Sequence, residues 1–201
     1  MYDASLAILP EIKAKKVSVP TGYSGFYNPT FKKYYEQMRS WIKHFDMNVY
    51  LSDNYRDINF ARENSVNNLV IIPNGADEKE FTDADAKIDI RKQFNLPQDC
   101  FLILHVGNYT GEKGHKEAIE VFLKSDLKNA TLLFIGKNTA YFKKRSIFKY
   151  YKTGLFWLSK LFSSKKIILT EADRKTTVAA YKQADLFLFP SNIECSPIVL
   201  F

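Results

Sequence analysis

The sequence contains little cysteine and no long apolar run. Its 201 residues include only two cysteines, Cys100 and Cys195, which lie too far apart for the spacing of zinc ligands or of a disulfide framework. A reducing compartment is therefore the simpler interpretation. No apolar run approaches the ~18 residues that cross a membrane, and no basic leader precedes an apolar stretch. These absences predict an unprocessed, soluble protein of the cytoplasm.

Hydrophobic residues are plentiful, whereas charge is unevenly distributed. Hydrophobic residues make up 46% of the chain, which is enough for a packed core and excludes a disordered protein. The formal net charge is +7, and nine basic residues without a single acidic one lie within residues 137–166, called the basic segment below. A charge concentrated in one segment argues against nucleic-acid binding and for a local anionic partner.

Short β-rich runs alternate with amphipathic helical stretches along the chain, which is typical of parallel sheets with crossover helices. Strands are predicted at residues 16–19, 48–51, 69–72, 101–106, 131–135, 167–169 and 185–189, and helices at residues 31–45, 54–63, 115–124 and 176–183. The turn Pro73-Asn74-Gly75 and a charged stretch at residues 77–99 separate two such series. We therefore predict an α/β protein with two Rossmann-like halves, residues 1–80 and 81–201.

The stretch from Gly107 to Gly114, called the glycine loop below, lies between a predicted buried strand and a predicted helix. Glycine lets the backbone approach a ligand, the helix start offers free amides and a positive dipole end, and Lys113 adds a full charge. Such a loop suits a diphosphate. Because its spacing matches neither the P-loop nor the dinucleotide fingerprint, an ordinary strand-to-helix loop is an equal alternative on this pattern alone.

Glu194 follows the last predicted strand, at the edge of the sheet where open α/β proteins bind their ligands. Ser196 and Pro197 come next and indicate a helix start, because proline is tolerated in the first helical turn. A carboxylate beside free helix amides can hold sugar hydroxyls while the amides hold phosphate. A helix-capping or solvated glutamate is the alternative that the pattern alone favours.

Three segments of the chain carry a family resemblance. They are residues 71–77, the glycine loop with its Lys113-Gly114 ending, and residues 184–200 with Glu194. In this order and spacing they resemble the retaining glycosyltransferases of GT-B fold in the group 1 family. The resemblance spans the chain from about residue 17. It implies two incomplete GT-B halves, with residues 1–80 as the end of an acceptor domain and residues 81–201 as most of a donor domain.

The resemblance also implies roles for individual residues. Lys113 would hold the donor diphosphate together with Gly107 and Asn108 of the glycine loop, and Glu194 would be catalytic, facing the donor sugar. The remaining donor-binding residues would be Ser196, Pro197, Ile198 and Val199. Asn108 stands where the family usually has an arginine that shares the diphosphate. The family's second glutamate, which holds the ribose, would fall immediately after Phe201.

The implied activity is transfer of a sugar from a UDP- or GDP-sugar to a hydroxyl of a saccharide or lipid-linked acceptor with retention, in polysaccharide or cell-envelope synthesis. No cofactor is expected. No metal ion is expected either, since the sequence shows no metal-binding carboxylate pair and its histidines are scattered. His44 and His105 are predicted to be structural, and His115 lies near the glycine loop. The isolated chain is expected to be inactive as a transferase, because it lacks most of the acceptor half.

The basic segment has a predicted helix with two alternative roles. If residues 148–162 are helical, their apolar residues form one stripe and the lysines lie off it. That pattern suits a peripheral helix at an anionic membrane surface, here the inner face of the membrane. A crossover helix packed on its own sheet explains the stripe equally well, and we favour it because every such domain needs a helix there.

Two other functions stay open on the sequence. One is a degenerate module that binds a nucleotide sugar without transferring it, which the asparagine at position 108 favours. The other is a sugar-nucleotide epimerase of the same fold, whose additional catalytic carboxylates and histidine are not recognised here. The residues encoded after Phe201 would discriminate best between a transferase and a binding module.

Overall fold

The computed structural model describes residues 4–82, 88–138 and 165–200. The chain divides into two compact units. The first unit comprises Met1–Gly75 and Glu194–Phe201, and the second unit comprises Ala76–Ile193. The sequence places the boundary at residues 80 and 81, whereas this division follows Gly75 and groups the tail with the first unit. The assignment of acceptor and donor roles to residues 1–80 and 81–201 stays a prediction.

The first unit is built on a three-stranded parallel sheet in the order β1-β2-β3. Its strands are β1 (Val17–Ser18), β2 (Met47–Tyr50) and β3 (Leu69–Ile71), its helices are α1 (Lys32–Trp41) and α2 (Arg56–Glu63), and 3-10 segments lie at Ala4–Glu11, Pro29–Phe31 and Ile42–His44. The register pairs Val17 with Met47 and Val49 with Val70. Parallel neighbours need a crossover, and α1 and α2 provide it.

The core of the first unit lies between its helices and its sheet. Helix α1 buries Tyr35 and Met38 on one face, and α2 buries Ile58 and Phe60. These side chains form one hydrophobic cluster with Tyr50 of β2. The other aromatic residues of the helix predicted at residues 31–45 pack against this cluster: Phe31, Tyr34, Trp41 and Phe45. Their role is therefore packing, as the three-and-four spacing predicts.

The second unit contains a four-stranded parallel sheet in the order β6-β5-β4-β7. The strands are β4 (Phe101–Val106), β5 (Ala130–Ile135), β6 (Lys166–Thr170) and β7 (Leu186–Phe187). The helices among the described residues are α3 (Glu78–Thr82), α4 (Ile90–Gln93), α5 (His115–Lys124) and α6 (Arg174–Gln183). Strand β4 therefore lies in the middle, between β5 and β7.

Strands β4 and β5 are almost wholly apolar because both faces of this sheet are covered. Along β4, Leu102 and Leu104 belong to one hydrophobic cluster, whereas Ile103 belongs to another. Leu133 and Phe134 alternate in the same way along β5. Successive side chains of a strand point to opposite faces, so the two clusters lie on opposite sides of the sheet. The predicted α/β class with parallel sheets is confirmed.

Most predicted element boundaries shift by one or more residues, and two of these shifts have a local reason. Helix α6 begins at Arg174, earlier than the predicted residue 176, because the Asp173 side chain accepts a hydrogen bond from the Thr176 N–H at 2.8 Å and caps the helix. Strand β7 is shorter than the predicted 185–189. Asp185 lies just before it, and the carboxylate accepts a hydrogen bond from the Leu102 N–H at 2.7 Å.

The two alternative roles of the basic segment concern residues that the structure does not describe. The helix predicted at residues 148–162 and most of the basic segment lie outside the described residues. Within residues 4–82, 88–138 and 165–200, no helix has the length and apolarity needed to cross a membrane.

Arg91 joins α4 to the strands of the second unit, and its loss should be destabilising. Its guanidinium donates to Gln183 O at 3.0 Å, to Cys100 O at 3.2 Å and to the Asp185 carboxylate at 2.9 Å, with only 15% of the side chain exposed. We expect Arg91→Met to lower the free energy of unfolding by about 2 kcal/mol, because three charge-assisted hydrogen bonds disappear and only part of that loss is regained from solvent. Urea denaturation measures this change.

The matched control for Arg91 is an exposed ion pair. Lys124 and Glu120 lie 2.7 Å apart on α5, with 67% and 46% of their side chains exposed. Lys124→Met should cost no more than about 0.5 kcal/mol, because solvent screens such pairs. Equal losses in the two variants would show that the Arg91 contacts contribute no more than a surface pair.

Candidate functional site

The glycine loop lies at the carboxyl edge of the second unit's sheet. It follows β4, and it ends at Gly114, the N-cap residue of α5. Because all four strands are parallel, the segments that follow β5 and β7 meet the loop at the same edge. This edge is where open α/β sheets bind their ligands.

The glycine loop is held against the end of β5. The Gly107 N–H donates to Ile135 O at 2.9 Å, and the Tyr109 N–H donates to Lys137 O at 3.0 Å. A Cβ added to Gly136 would lie 2.1 Å from Gly107 O, so the two backbones meet where no side chain fits. The Asn108 side chain adds a third connection, since its Oδ1 accepts a hydrogen bond from the Lys137 N–H at 2.9 Å.

The other side of the glycine loop contacts the segment that follows β7. Glu112 O accepts hydrogen bonds from Ser191 Oγ at 3.2 Å and from the Asn192 N–H at 3.3 Å. Gly114 has a φ of 70°, and a Cβ added to it would lie 2.0 Å from Pro190 O. Glycine is therefore required at position 114, both for the left-handed backbone and for the close approach. The predicted loop is thus fixed from two sides.

A lysine and a helix start lie together at this edge of the sheet. Lys113 immediately precedes Gly114, and its Cβ and Cγ lie 3.5 Å and 3.6 Å from the position that a Cβ on Gly107 would occupy. The lysine stem therefore packs along the start of the loop. Helix α5 begins at His115. Its first N–H groups lack intrahelical acceptors, and the positive end of its dipole lies at the same place. Together these groups suit a phosphate.

Two buried histidines pack together beside the glycine loop. The ring centroids of His105 and His115 lie 4.5 Å apart, and 0% and 2% of these residues are exposed. His105 Nδ1 lies 2.8 Å from Leu188 O, and His115 Nε2 lies 3.1 Å from Gly107 O, so these nitrogens carry the protons that they donate to the carbonyls. Both rings also pack against Phe134. His115 thus holds the first residue of the loop directly.

Burial keeps both rings neutral. Desolvation, with a smaller contribution from the neighbouring His115, lowers the pKa of His105 to about 4. Desolvation also lowers the pKa of His115, against the opposing effect of its hydrogen bond to Gly107. The sequence predicts a structural role for His105 and only proximity to the loop for His115. It does not predict their contact, for which the only sequence evidence is a polar residue inside an apolar strand and a second histidine at the next helix start.

The predicted residues after β7 lie in the first unit. Glu194, Ser196, Pro197 and Val199 are half-buried there, and Ile198 is exposed. The Asn74 side chain donates to Ser196 O at 2.7 Å, so the tail is tied to the predicted turn. A helix start is predicted at Ser196-Pro197, but the structure has only the 3-10 segment Ile198–Leu200.

The two groups of predicted site residues therefore belong to different units. Gly107, Asn108 and Lys113 come together in the second unit, whereas Glu194 and the residues after it belong to the first. Their combination in one site stays a prediction. Cys195 lies beside the buried Asp57, with Sγ 3.9 Å from Oδ2, and burial raises the pKa of its thiol to about 11.

A Rossmann-like unit with a glycine-containing loop, a lysine and a helix start at its carboxyl edge has the organisation of a nucleotide-binding domain. A comparison with known protein families matches residues 86–201 to the glycosyl transferases group 1, and the chain therefore belongs to this family. The match covers more than half of the chain and includes the whole glycine loop. The family resemblance inferred from the sequence is confirmed.

Solved structures with similar folds include a sugar-phosphate synthase and a glycosyltransferase. Sucrose-phosphate synthase from Thermosynechococcus elongatus aligns over 97% of this chain and 49% of its own, with 18% identity and a TM-score of 0.64. A glycosyltransferase from Rickettsia africae aligns over 93% and 48%, with 20% identity and a TM-score of 0.63. Anabaena Alr3699/HepE in complex with UDP and glucose aligns over 88% and 46%, with 13% identity and a TM-score of 0.56.

These likenesses establish the fold alone, since the identities are low. The chain spans about half the length of each of these proteins. No curated protein sequence matches the chain.

Proposed function

We propose that the full-length protein transfers a sugar from a nucleotide diphosphate sugar to an acceptor hydroxyl, with retention of the anomeric configuration. The observation that supports this most is the glycine loop, which places Lys113 and the start of α5 at one sheet edge within the family-matched residues. UDP and GDP are the nucleotides to test. A UDP-sugar has support from the Anabaena structure, which contains UDP and glucose.

The chemistry of the proposed transfer depends on stabilising the leaving diphosphate. Negative charge develops on that group as the bond between the sugar's anomeric carbon and the diphosphate oxygen breaks and the bond to the acceptor oxygen forms, and Lys113 with the α5 amides would stabilise it. Glu194 would contact the donor sugar, and the residues after it would contact the rest of the donor. No cofactor takes part in this proposal, and no metal ion is needed for it. Within the described residues, no group of three or more His, Cys, Asp or Glu residues is arranged to hold one.

The proposed setting is the cytoplasm, with a saccharide or lipid-linked acceptor, in polysaccharide or cell-envelope synthesis. A lipid-linked acceptor would require the protein to act at the inner face of the membrane. The basic segment, with its nine basic residues, supplies the charge for such a peripheral contact with anionic lipids.

The proposal predicts that Lys113→Ala weakens nucleotide binding. A charge-assisted hydrogen bond to phosphate is worth on the order of 1.5–3 kcal/mol, so the Kd for UDP or GDP should rise about tenfold or more. Isothermal titration calorimetry of the full-length protein measures this change.

The matched control for Lys113 is Lys124→Ala, at the opposite end of α5. Its Kd should equal that of the parent protein, since the lysine lies more than two helical turns from the loop. An unchanged Kd in Lys113→Ala would remove Lys113 from the phosphate site.

A non-catalytic binding module is the second candidate. The observation in its favour is Asn108, which contributes a hydrogen bond to the Lys137 N–H and no charge. Such a module would bind UDP or GDP with the Lys113 dependence described above, yet release no sugar from any UDP- or GDP-sugar. Assays of donor hydrolysis and transfer with the full-length protein separate the two candidates.

A further inference from the structure

We propose that Lys137 supplies a second positive charge to the phosphate site of the glycine loop, and that Asn108 is the residue that positions it. This inference rests on the proposed function, because it adds a binding residue to the same site. Lys137 lies in the family-matched part of the chain but outside the glycine loop, and the sequence assigns it to the basic segment and not to donor binding.

The first argument is that Lys137 is held by the glycine loop itself. Its N–H donates to Asn108 Oδ1 at 2.9 Å, and its carbonyl accepts from the Tyr109 N–H at 3.0 Å. Both backbone polar groups of Lys137 are therefore bonded to consecutive loop residues. Although 29 positions separate it from Asn108 in the chain, Lys137 is structurally part of the loop.

The second argument is that the backbone before and after Lys137 has little freedom to move away. Gly136 lies against Gly107, where an added Cβ would meet the carbonyl oxygen at 2.1 Å. Gly136 N–H also donates to Thr170 O at 3.0 Å, and the Asn138 N–H donates to the Glu171 carboxylate at 3.1 Å. The position of Lys137 is therefore fixed on both sides.

The third argument concerns charge. A nucleoside diphosphate carries more than one negative charge, whereas Asn108 is neutral and both buried histidines are neutral near pH 7, since burial lowers the pKa of each. Lys137 is exposed, and its ammonium group makes no ion pair with any residue in the described ranges. Lys137 follows β5, which is paired with β4, so Lys113 and Lys137 both lie in segments at the carboxyl edge of the same sheet.

The experiment compares Lys137→Gln with Lys137→Arg in the full-length protein, with UDP and inorganic pyrophosphate as probes. Lys137→Gln should raise the Kd for both probes about fivefold to tenfold, because a charge-assisted contact to phosphate is lost. Lys137→Arg keeps the charge and should stay within about twofold of the parent protein. The side chain is exposed, so thermal denaturation should be the same in both variants.

The matched control is Lys128→Gln. Lys128 is also exposed, but it precedes β5, whereas Lys137 follows it, so the two lysines lie at opposite edges of the sheet. Its Kd values should equal those of the parent protein. A rise in the Kd for UDP without a rise for pyrophosphate in Lys137→Gln would overturn the assignment to the phosphate site.

The positioning role of Asn108 is tested by a double-mutant cycle. Asn108→Ala should weaken binding of UDP, and the same change made in the Lys137→Gln background should weaken it much less, because the charge to be positioned is already absent. Additive effects of the two changes would overturn the positioning role. A general loss of structure would lower the midpoint of thermal denaturation, which is measured separately for each variant of the cycle.

The outcomes separate this inference from the proposed function. If Lys113→Ala weakens binding of UDP and Lys137→Gln does not, the inference fails and the proposed function stands. If the parent protein binds neither UDP nor GDP, both fail.

Discussion

Replacing Gly114 by alanine is expected to lower the free energy of unfolding of the second unit by about 4 kcal/mol. The φ of 70° at Gly114 is left-handed, which costs a residue with a Cβ roughly 1–2 kcal/mol. The added Cβ would also lie 2.0 Å from Pro190 O and 2.4 Å from Pro190 C, so a backbone segment must shift, at a cost of about 1–3 kcal/mol. Urea denaturation of the variant measures the sum.

Gly111→Ala is the control that separates the two contributions. Gly111 has a φ of 91°, yet a Cβ added there would meet no atom of the described residues within 4 Å. It should therefore lose only the conformational part, about 1–2 kcal/mol. Equal losses in Gly111→Ala and Gly114→Ala would mean that the approach of Gly114 to Pro190 is not tight. A much larger loss in Gly114→Ala would identify that approach as the contact that fixes the end of the loop.

Replacing Gly114 by alanine should also weaken nucleotide binding. Gly114 caps α5 directly after Lys113, so a shift of its backbone moves the lysine and the helix amides together. We expect Gly114→Ala to raise the Kd for UDP at least as much as Lys113→Ala does, whereas Gly111→Ala should raise it less. This comparison tests whether the phosphate site depends on the packing of the loop against the segment that follows β7.

The position of the glycine loop was predictable because the elements around it have local sequence patterns. An apolar strand, three glycines, a lysine and an amphipathic helix follow one another within residues 101–124, and each has its own sequence pattern. The parallel sheet was predictable for the same reason, since β/α alternation leaves few topologies. Gly114 could be recognised as a loop glycine. The requirement for glycine at position 114, however, depends on its contact with Pro190, which no local pattern places beside it.

The connection between Asn108 and Lys137 was not predictable. The family resemblance implies that Asn108 replaces a positively charged residue, because the family usually has arginine there. In the structure, its Oδ1 accepts a hydrogen bond from the N–H of Lys137, which lies in the segment after β5. The register of β4 against β5 creates this contact, and register is a tertiary property that neither strand sets alone.

The role of Asp185 was also missed for a tertiary reason. Its position before an apolar run predicts the first residue of a strand. The carboxylate instead bonds the Leu102 N–H and Arg91, so it joins the starts of two strands to α4. Sequence patterns indicate where elements lie, but they do not indicate which buried or half-buried polar groups satisfy one another across the sheet.

Acidification is expected to destabilise the second unit through His105. Its pKa is about 4 in the folded protein and near 6.5 in the unfolded chain, because burial disfavours the charged ring. Between these values the unfolded chain binds more protons than the folded protein, so stability is complete above about pH 6.5 and falls as the pH decreases toward 4. At 1.36 kcal/mol for each pKa unit, the loss attributable to His105 is about 3 kcal/mol. Urea denaturation at several pH values measures it.

Two variants isolate this effect from the titration of carboxylates. His105→Phe removes the ring nitrogens but keeps an aromatic group beside His115 and Phe134, so its stability should fall less steeply between pH 6.5 and 4, while the lowered pKa of His115 leaves part of the slope. His44→Gln changes an exposed histidine and should follow the parent protein. NMR titration of the His105 ring gives an independent value. A midpoint near 6.5, or identical slopes in His105→Phe and the parent protein, would show that water reaches the ring and that the loop does not rest on a neutral histidine pair.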